Sequence, residues 1–322
     1  MSLIVSNLSK KYDQKTVVDK LDFEITKPGV YALLGTNGAG KTTSIRMILG
    51  MLAKDSGQVL WNDRPFSLDT CNVGYLAEER GLYPKYTLLD QLIYFAGLRS
   101  LSKNDAETRI KYWARRLEVD EYIYPSQPAA QTLAGVSRSR AKIKKPMKAD
   151  QLSKGNQQKI QFMVTLLSDP ELLILDEPLS GLDPVNTDLF KSIIREEIGK
   201  GKYLIMSSHQ MATVEEFCTD MTILSRSKTV LQGNLNEIKK SYGRVNLSLK
   251  TEQDVTPLIN ASGARLVNSK ENEYEIKVSG DKQANELLGA LVQNNITIVT
   301  FDLREPSLHE IFVETVGGAE DE

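Results

Sequence analysis

Gly35-Thr36-Asn37-Gly38-Ala39-Gly40-Lys41-Thr42 is the stretch on which the reading of the fold turns. It has the form G-x-x-x-x-G-K-[ST]. It follows the apolar run Val30–Leu34 directly and opens a helical pattern over Lys41–Met51, the setting such a loop requires. Glycines let successive backbone N–H groups turn inward around phosphate oxygens. The helix N-terminus adds its positive dipole end at the same point. The loop is therefore expected to hold a nucleotide's phosphates with backbone groups from Gly35, Thr36, Asn37, Gly38, Ala39, Gly40, Lys41, Thr42 and Thr43. Lys41 would reach the β- and γ-phosphates, and the Thr42 hydroxyl would bind Mg²⁺.

Working outward, Leu3–Leu8, Leu21–Ile25, Val30–Leu34, Leu172–Leu175, Tyr203–Met206 and Met221–Leu224 predict strands. The last four are nearly unbroken in apolar residues, as strands covered on both faces should be. Helices are predicted over Lys41–Met51 and Val185–Ile198. This alternation predicts a layered α/β domain with a largely parallel sheet. Two further helices, Leu88–Arg99 behind a Thr87/Asp90 capping signal and Asp105–Leu117, predict an inserted helical subdomain over about 85–165. After Gly233 the pattern restarts. Strands over Val245–Leu249, Tyr274–Val278 and Ile296–Phe301, with helices over Ala284–Val292 and Leu308–Val316, predict a small accessory α+β domain. The turn at Tyr242-Gly243 sets the expected domains at 1–241 and 242–322. Residues 122–149 hold three prolines, no acidic residue, and six Lys/Arg from Arg138 to Lys148. They read as a solvated loop, or as a contact for anionic lipid headgroups or a partner.

Composition narrows the class. A chain of 322 residues suits about two domains. Its 41% hydrophobic and 25% charged residues match a soluble globular protein. A net charge of −2 gives no overall field for nucleic acid or an anionic membrane, so no nucleic-acid partner is expected. Cys71 and Cys218 form neither a disulfide framework nor a zinc spacing, which fits a reducing, cytosolic setting. Cys218 reads as a small buried apolar residue. The N-terminus lacks a signal-peptide pattern. No run approaches the ~18 apolar residues of a membrane span, so another chain would have to supply one.

Leu172–Leu175 delivers Asp176 and Glu177 to a strand's C-terminal edge, where open α/β sheets bind ligands. Asp176 would hold Mg²⁺ and Glu177 would polarise an attacking water. Two carboxylates at a strand end could equally be a solvated turn; the phosphate loop tips the reading. His209 and His309, taken singly, read as structural histidines.

The residues between these motifs carry a specific likeness. Leu152-Ser153-Lys154-Gly155-Asn156-Gln157-Gln158 resembles the LSGGQ signature of ATP-binding cassette (ABC) proteins. Ser180-Gly181-Leu182-Asp183 resembles their D-loop, and His209 in Ser207-Ser208-His209 their switch histidine. Tyr12, in Lys10-Lys11-Tyr12, stands where that family stacks an aromatic on adenine. The likeness covers roughly residues 2–235. It implies a P-loop NTPase cassette with a mixed sheet and inserted helical subdomain, using ATP and Mg²⁺. It makes Lys41, Glu177 and His209 catalytic. It also implies two cassettes head to tail, so that Ser153 and Gly155 meet the γ-phosphate on the opposite subunit's Lys41 loop. A homodimer is the simplest such arrangement. The expected role is the motor of a transporter, on the inner face of the membrane beside a separate permease.

Three positions depart from the family pattern. Lys154 replaces a glycine, Asn156 a glutamine, and Glu78 the expected Q-loop glutamine, which makes Glu78 a further candidate metal ligand. These changes, and the run Glu305–Phe312, resemble the branch of bacterial exporters that includes the sodium-efflux type. A soluble cassette working on ribosomes or DNA is the alternative. Ribosomal types usually carry two cassettes and DNA-repair types long coiled coils, and neither pattern is in this sequence. A regulatory module with a dead site is opposed by intact Lys41, Asp176, Glu177 and His209.

Overall fold

The computed structural model describes residues 1–79, 81–125 and 146–318, so most of the basic run lies outside the described residues. The chain forms two compact units: Met1–His209 with Arg226–Lys228, and Gln210–Ser225 with Thr229–Glu322.

The first unit opens with β1 (Leu3–Tyr12), β2 (Lys15–Ile25), β3 (Gly29–Gly35), α1 (Lys41–Ile48), β4 (Ser56–Trp61), β5 (Arg64–Pro65) and β6 (Val73–Leu76). Then come α2 (Leu88–Leu98), α3 (Lys103–Arg116), α4 (Asp120–Ile123), α5 (Lys154–Leu166), β7 (Leu172–Asp176), α6 (Pro184–Gly199) and β8 (Tyr203–Ser208). One sheet is antiparallel, in the order β2-β1-β4-β5. The other runs β3-β8-β7-β6 within this unit, with every pairing parallel. Every residue of β3, β7 and β8 is buried, as their unbroken apolar runs predicted.

The register fixes the site. Leu34 pairs with Ser208, Asp176 with Ser207, and Leu76 with Leu175. All four parallel strands therefore end at one edge, and the residues just beyond them converge there. The predicted β1 and β2 were too short because their polar ends, Ser9–Tyr12 and Lys15–Lys20, pair across a hairpin turned at Asp13 (φ 51°). Helix α1 stops at Ile48 rather than Met51, and Gly50 (φ 69°) supplies the left-handed residue that closes it.

The helical insert is built on caps. Thr87, Ser102 and Ser153 accept from the backbone N–H groups of Asp90, Asp105 and Asn156 at 3.2, 3.2 and 3.3 Å. It is tied to the sheet by Arg99, which donates to the Val73 carbonyl at 2.8 Å. The stacked rings of Phe162 and Phe190, 4.5 Å apart, join α5 to α6. Among the described residues no helix is long and apolar enough to cross a membrane.

The second unit holds α7 (Met211–Phe217), β9 (Asp220–Ser225), β10 (Lys228–Asn234), α8 (Leu235–Tyr242), β11 (Asn246–Thr251) and α9 (Thr256–Ala261). It continues through β12 (Arg265–Lys270), β13 (Glu273–Lys277), α10 (Asp281–Gln293), β14 (Ile298–Arg304) and α11 (Leu308–Gly318). Its sheet is antiparallel, ordered β12-β13-β11-β14. Leu247, Leu249, Tyr274 and Ile276 form the inner face, packed with Ile259 of α9 and Ala284, Leu287 and Leu291 of α10. Strand β12 escaped the sequence reading because it is an exposed edge with one partly buried residue, Leu266. Cys71 and Cys218 are both buried and free, and burial pushes the Cys71 thiol up to about 12.

Candidate nucleotide site

Beyond β3 the chain turns sharply into α1. Gly38 (φ 82°) and Gly40 (φ 107°) take the left-handed backbone that glycine adopts without strain. At Gly40 the requirement is steric as well. A Cβ there would lie 2.5 Å from the Val17 carbonyl oxygen of β2. Lys41 is buried, and its ammonium donates to the carbonyls of Gly35 at 2.8 Å and Thr36 at 3.3 Å. The loop opens on a cavity of about 420 Å³. Lys41, Thr42, Thr43, Glu78 and Glu177 line it, joined by Lys15 and Val17 of β2. Those two β2 residues were missed from the sequence, since only hairpin pairing carries them over the loop.

The acidic pair lies beside the loop. Asp176, only 1% exposed, accepts from the Ser207 hydroxyl through Oδ1 at 2.5 Å, while its Oδ2 is buried without a hydrogen-bond partner. Burial raises the Asp176 pKa. The Ser207 and Thr42 hydroxyls and the Lys41 charge oppose that rise, and the Glu177 charge adds to it.

Glu177 has left-handed backbone at φ 49°, a conformation costing a non-glycine residue about 1–2 kcal/mol. Its N–H meets the Ser207 hydroxyl at 3.0 Å and the Ser207 carbonyl at 3.3 Å. That turn sets the carboxylate between two cations or donors. Lys41 Nζ lies 3.5 Å from Oε1, and His209 Nδ1 lies 2.9 Å from Oε2. Glu177 Oε1, like Asp176 Oδ2, is buried and accepts no hydrogen bond.

The structure thus brings Lys41, Thr42, Glu78, Asp176, Glu177 and His209 together. It does not bring Ser153 and Gly155 to the same cavity: Ser153 caps α5, and neither residue is among those lining the Lys41 cavity. Gln158, in the same helix, donates to the Pro178 carbonyl at 2.7 Å and so ties the signature helix to the turn after Glu177. Asp183 of the Ser180–Asp183 run caps α6, accepting from Asn186 N at 3.0 Å. Tyr12 is half-exposed at the hairpin tip, paired in register with Lys15, and is not among the residues lining the cavity.

The donor set suits a hard divalent cation. Thr42 offers a hydroxyl, Asp176 a carboxylate oxygen with unspent lone pairs, and Glu78 a second carboxylate on the cavity wall.

Comparison with known proteins follows the same lines. Residues 18–180 match the ABC transporter family model, and residues 233–316 match the C-terminal domain of DrrA1-3-like ATP-binding proteins. The uncharacterized ABC transporter ATP-binding protein YhaQ of Bacillus subtilis is 39% identical over 316 residues, covering 98% of each chain. The linearmycin resistance ATP-binding protein LnrL of the same organism is 26% identical, with 98% of each covered. A solved structure of an ATP-binding subunit of an ABC transporter superposes with a TM-score of 0.63 at 26% identity, over 75% of this chain and 93% of that one. Phosphate loop, signature helix and acidic strand in this order, followed by the accessory domain, make the chain a member of the ABC transporter family, as its ATP-binding motor subunit.

Proposed function

We propose that this chain hydrolyses Mg-ATP to drive an exporter, as a homodimer seated on a separate membrane permease at the inner face of the membrane. The observation that carries the hydrolytic reading is Glu177. Its carboxylate is buried, fixed on one side by His209 and on the other by Lys41, with lone pairs of Oε1 unspent at the wall of the phosphate cavity.

Thr42 and Asp176 would hold Mg²⁺, with Glu78 within the same cavity; bound there, the ion would neutralise triphosphate charge as the γ-phosphoryl group leaves. The protein's own groups do the rest. Lys41 supplies a cation to the β- and γ-oxygens, using the donors it otherwise spends on Gly35 and Thr36. Loop amides from Gly35 to Thr43 hold the remaining oxygens. Oε1 of Glu177 accepts a proton from water as the water oxygen bonds to the γ-phosphorus. The bond to the β–γ bridging oxygen breaks, releasing ADP and phosphate. His209 keeps the carboxylate aimed.

Ser153 and Gly155 lie away from this chain's own phosphate cavity, which supports their action on the nucleotide of a second cassette, with Tyr12 stacking on adenine. We draw the cassette as 1–241 with its helical insert at 85–165, and the accessory domain as 242–322. The core from Leu247 to Leu291 lies wholly within that domain. The export direction is supported by the relative named for linearmycin resistance.

Equilibrium ATP titration and steady-state turnover of Lys41→Ala test the proposal. Weakened binding and abolished turnover are expected. Wild-type affinity and rate would remove Lys41 from the site.

A further inference from the structure

Ser207 touches both acidic residues of the site, Asp176 through its carboxylate and Glu177 through its backbone N–H. It lies on β8, fully buried, as the register partner of Asp176 on β7. A serine hydroxyl has one hydrogen to give and lone pairs to accept with. Here the hydrogen goes to Asp176 Oδ1 at 2.5 Å, and a lone pair takes the Glu177 N–H at 3.0 Å. With one lone pair held by that fixed backbone donor, the O–H is turned toward the nearby Oδ1.

Two consequences follow at once. With Oδ1 engaged, the oxygen of Asp176 left for another partner is Oδ2, buried and without a hydrogen bond. The Glu177 N–H is meanwhile held by the Ser207 hydroxyl and carbonyl together, which sustains the left-handed turn at φ 49°. That turn carries the Glu177 carboxylate to Lys41 and His209.

We infer that Ser207 is the positioning residue of this site: its hydroxyl turns Asp176 so that Oδ2 faces the metal, and holds the turn that presents Glu177 to the water. The inference rests on the Mg-ATP reading of the site. A group standing behind a metal ligand typically changes metal affinity or activity by about 10–100-fold when removed. A buried serine with a merely structural role would lower stability without separating magnesium-bound from magnesium-free nucleotide.

The test is equilibrium binding of ATP to the full chain in Mg²⁺ and again in EDTA, with hydrolysis followed in parallel. In Ser207→Ala, affinity in EDTA should stay within about twofold of wild type, while the gain conferred by Mg²⁺ shrinks about tenfold or more. Turnover should fall with it. If Ser207→Ala does not fold, Ser207→Cys fills the site with a slightly larger side chain that is only a weak donor, and the same loss is expected. A folded variant with the wild-type magnesium gain would overturn the inference. A wild-type chain showing no magnesium gain and no hydrolysis would overturn the Mg-ATP reading instead.

Discussion

His209 Nδ1 lies 2.9 Å from Oε2 of Glu177, and Lys41 Nζ lies 3.5 Å from Oε1, so the two oxygens of one carboxylate have different neighbours. A neutral imidazole can donate through Nδ1, which fixes the carboxylate plane without protonating it. On the proposed mechanism Oε1 is the oxygen that acts as the base. Glu177→Gln keeps the shape and one acceptor oxygen for His209 but removes the base. Hydrolysis should fall about 100-fold or more, with ATP binding retained. His209→Ala should lower turnover while sparing ATP affinity, because it loosens the carboxylate without touching the phosphate loop. The Glu177→Gln chain should also collect as an ATP-bound dimer on gel filtration. A fully active, monomeric Glu177→Gln chain would refute this assignment.

Gly40 and Gly38 both have positive φ, but their surroundings differ. Nothing stands within 4 Å of a Cβ built at Gly38, whereas one at Gly40 meets the Val17 carbonyl at 2.5 Å. Gly38→Ala should cost about 1–2 kcal/mol, the backbone strain alone. Gly40→Ala adds a clash with main chain that cannot rotate away, worth a further ~1–3 kcal/mol, and displaces the loop from β2. Urea midpoints and ATP titrations of the two variants check this. Gly40→Ala should be the less stable and should bind ATP poorly.

How much of this was readable in advance depends on whether the chemistry is local along the chain. The phosphate loop, Asp176-Glu177 and the cap at Thr87 lie in short stretches whose residue types are dictated by what they bind. The fully apolar strands β3, β7 and β8 were equally plain. Ser207's hydrogen bond to Asp176 was not, because 31 residues separate them and only the β7–β8 register brings them together. Val17's hold on Gly40 is hidden for the same reason. Strand β12 is mostly exposed and β4 carries only the three apolar residues Val59–Trp61, so neither shows a run or an alternation long enough to recognise. The motif order alone singles out Glu78; its place on the cavity wall depends on β6.

Glu310 tests the accessory domain independently of nucleotide. Partial burial pushes its carboxyl up, but Lys277, the Ser307 N–H and hydroxyl, and Asn246 outweigh that and hold it at about 2, against an ordinary 4.5. The partners sit at 2.8–3.0 Å. A depressed carboxylate pKa gives stability that is complete above pH 4.5 and is lost as pH falls toward about 2. The side chain is 39% exposed, so after discounting for solvent screening the contribution is about 1 kcal/mol. Glu310→Gln should therefore melt below wild type at pH 7, with the gap closing between pH 4.5 and about 2. A gap independent of pH would mean that packing, not charge, explains the loss.

Glu78 is the departure from the family pattern with the clearest electrostatic consequence. It is exposed and lines the Lys41 cavity together with Thr42 and a second carboxylate, Glu177. A neutral glutamine there would add no charge. A carboxylate brings one negative charge toward an anionic triphosphate and, when metal is present, toward the ion that relieves the repulsion. Across a watery cavity a unit charge is worth about 0.5–1 kcal/mol, or about two- to fivefold in an equilibrium. Glu78→Gln should keep the fold, bind ATP about two- to fivefold more tightly in EDTA, and reach half-maximal hydrolysis at lower Mg²⁺. The sign is what matters: removing a ligand carboxylate also removes an oxygen for the metal, so a variant needing more Mg²⁺ would show that coordination by Glu78 outweighs its charge. Magnesium titrations of both proteins decide between the two. Superimposable curves would place the Glu78 carboxylate beyond reach of the metal and the γ-phosphate alike.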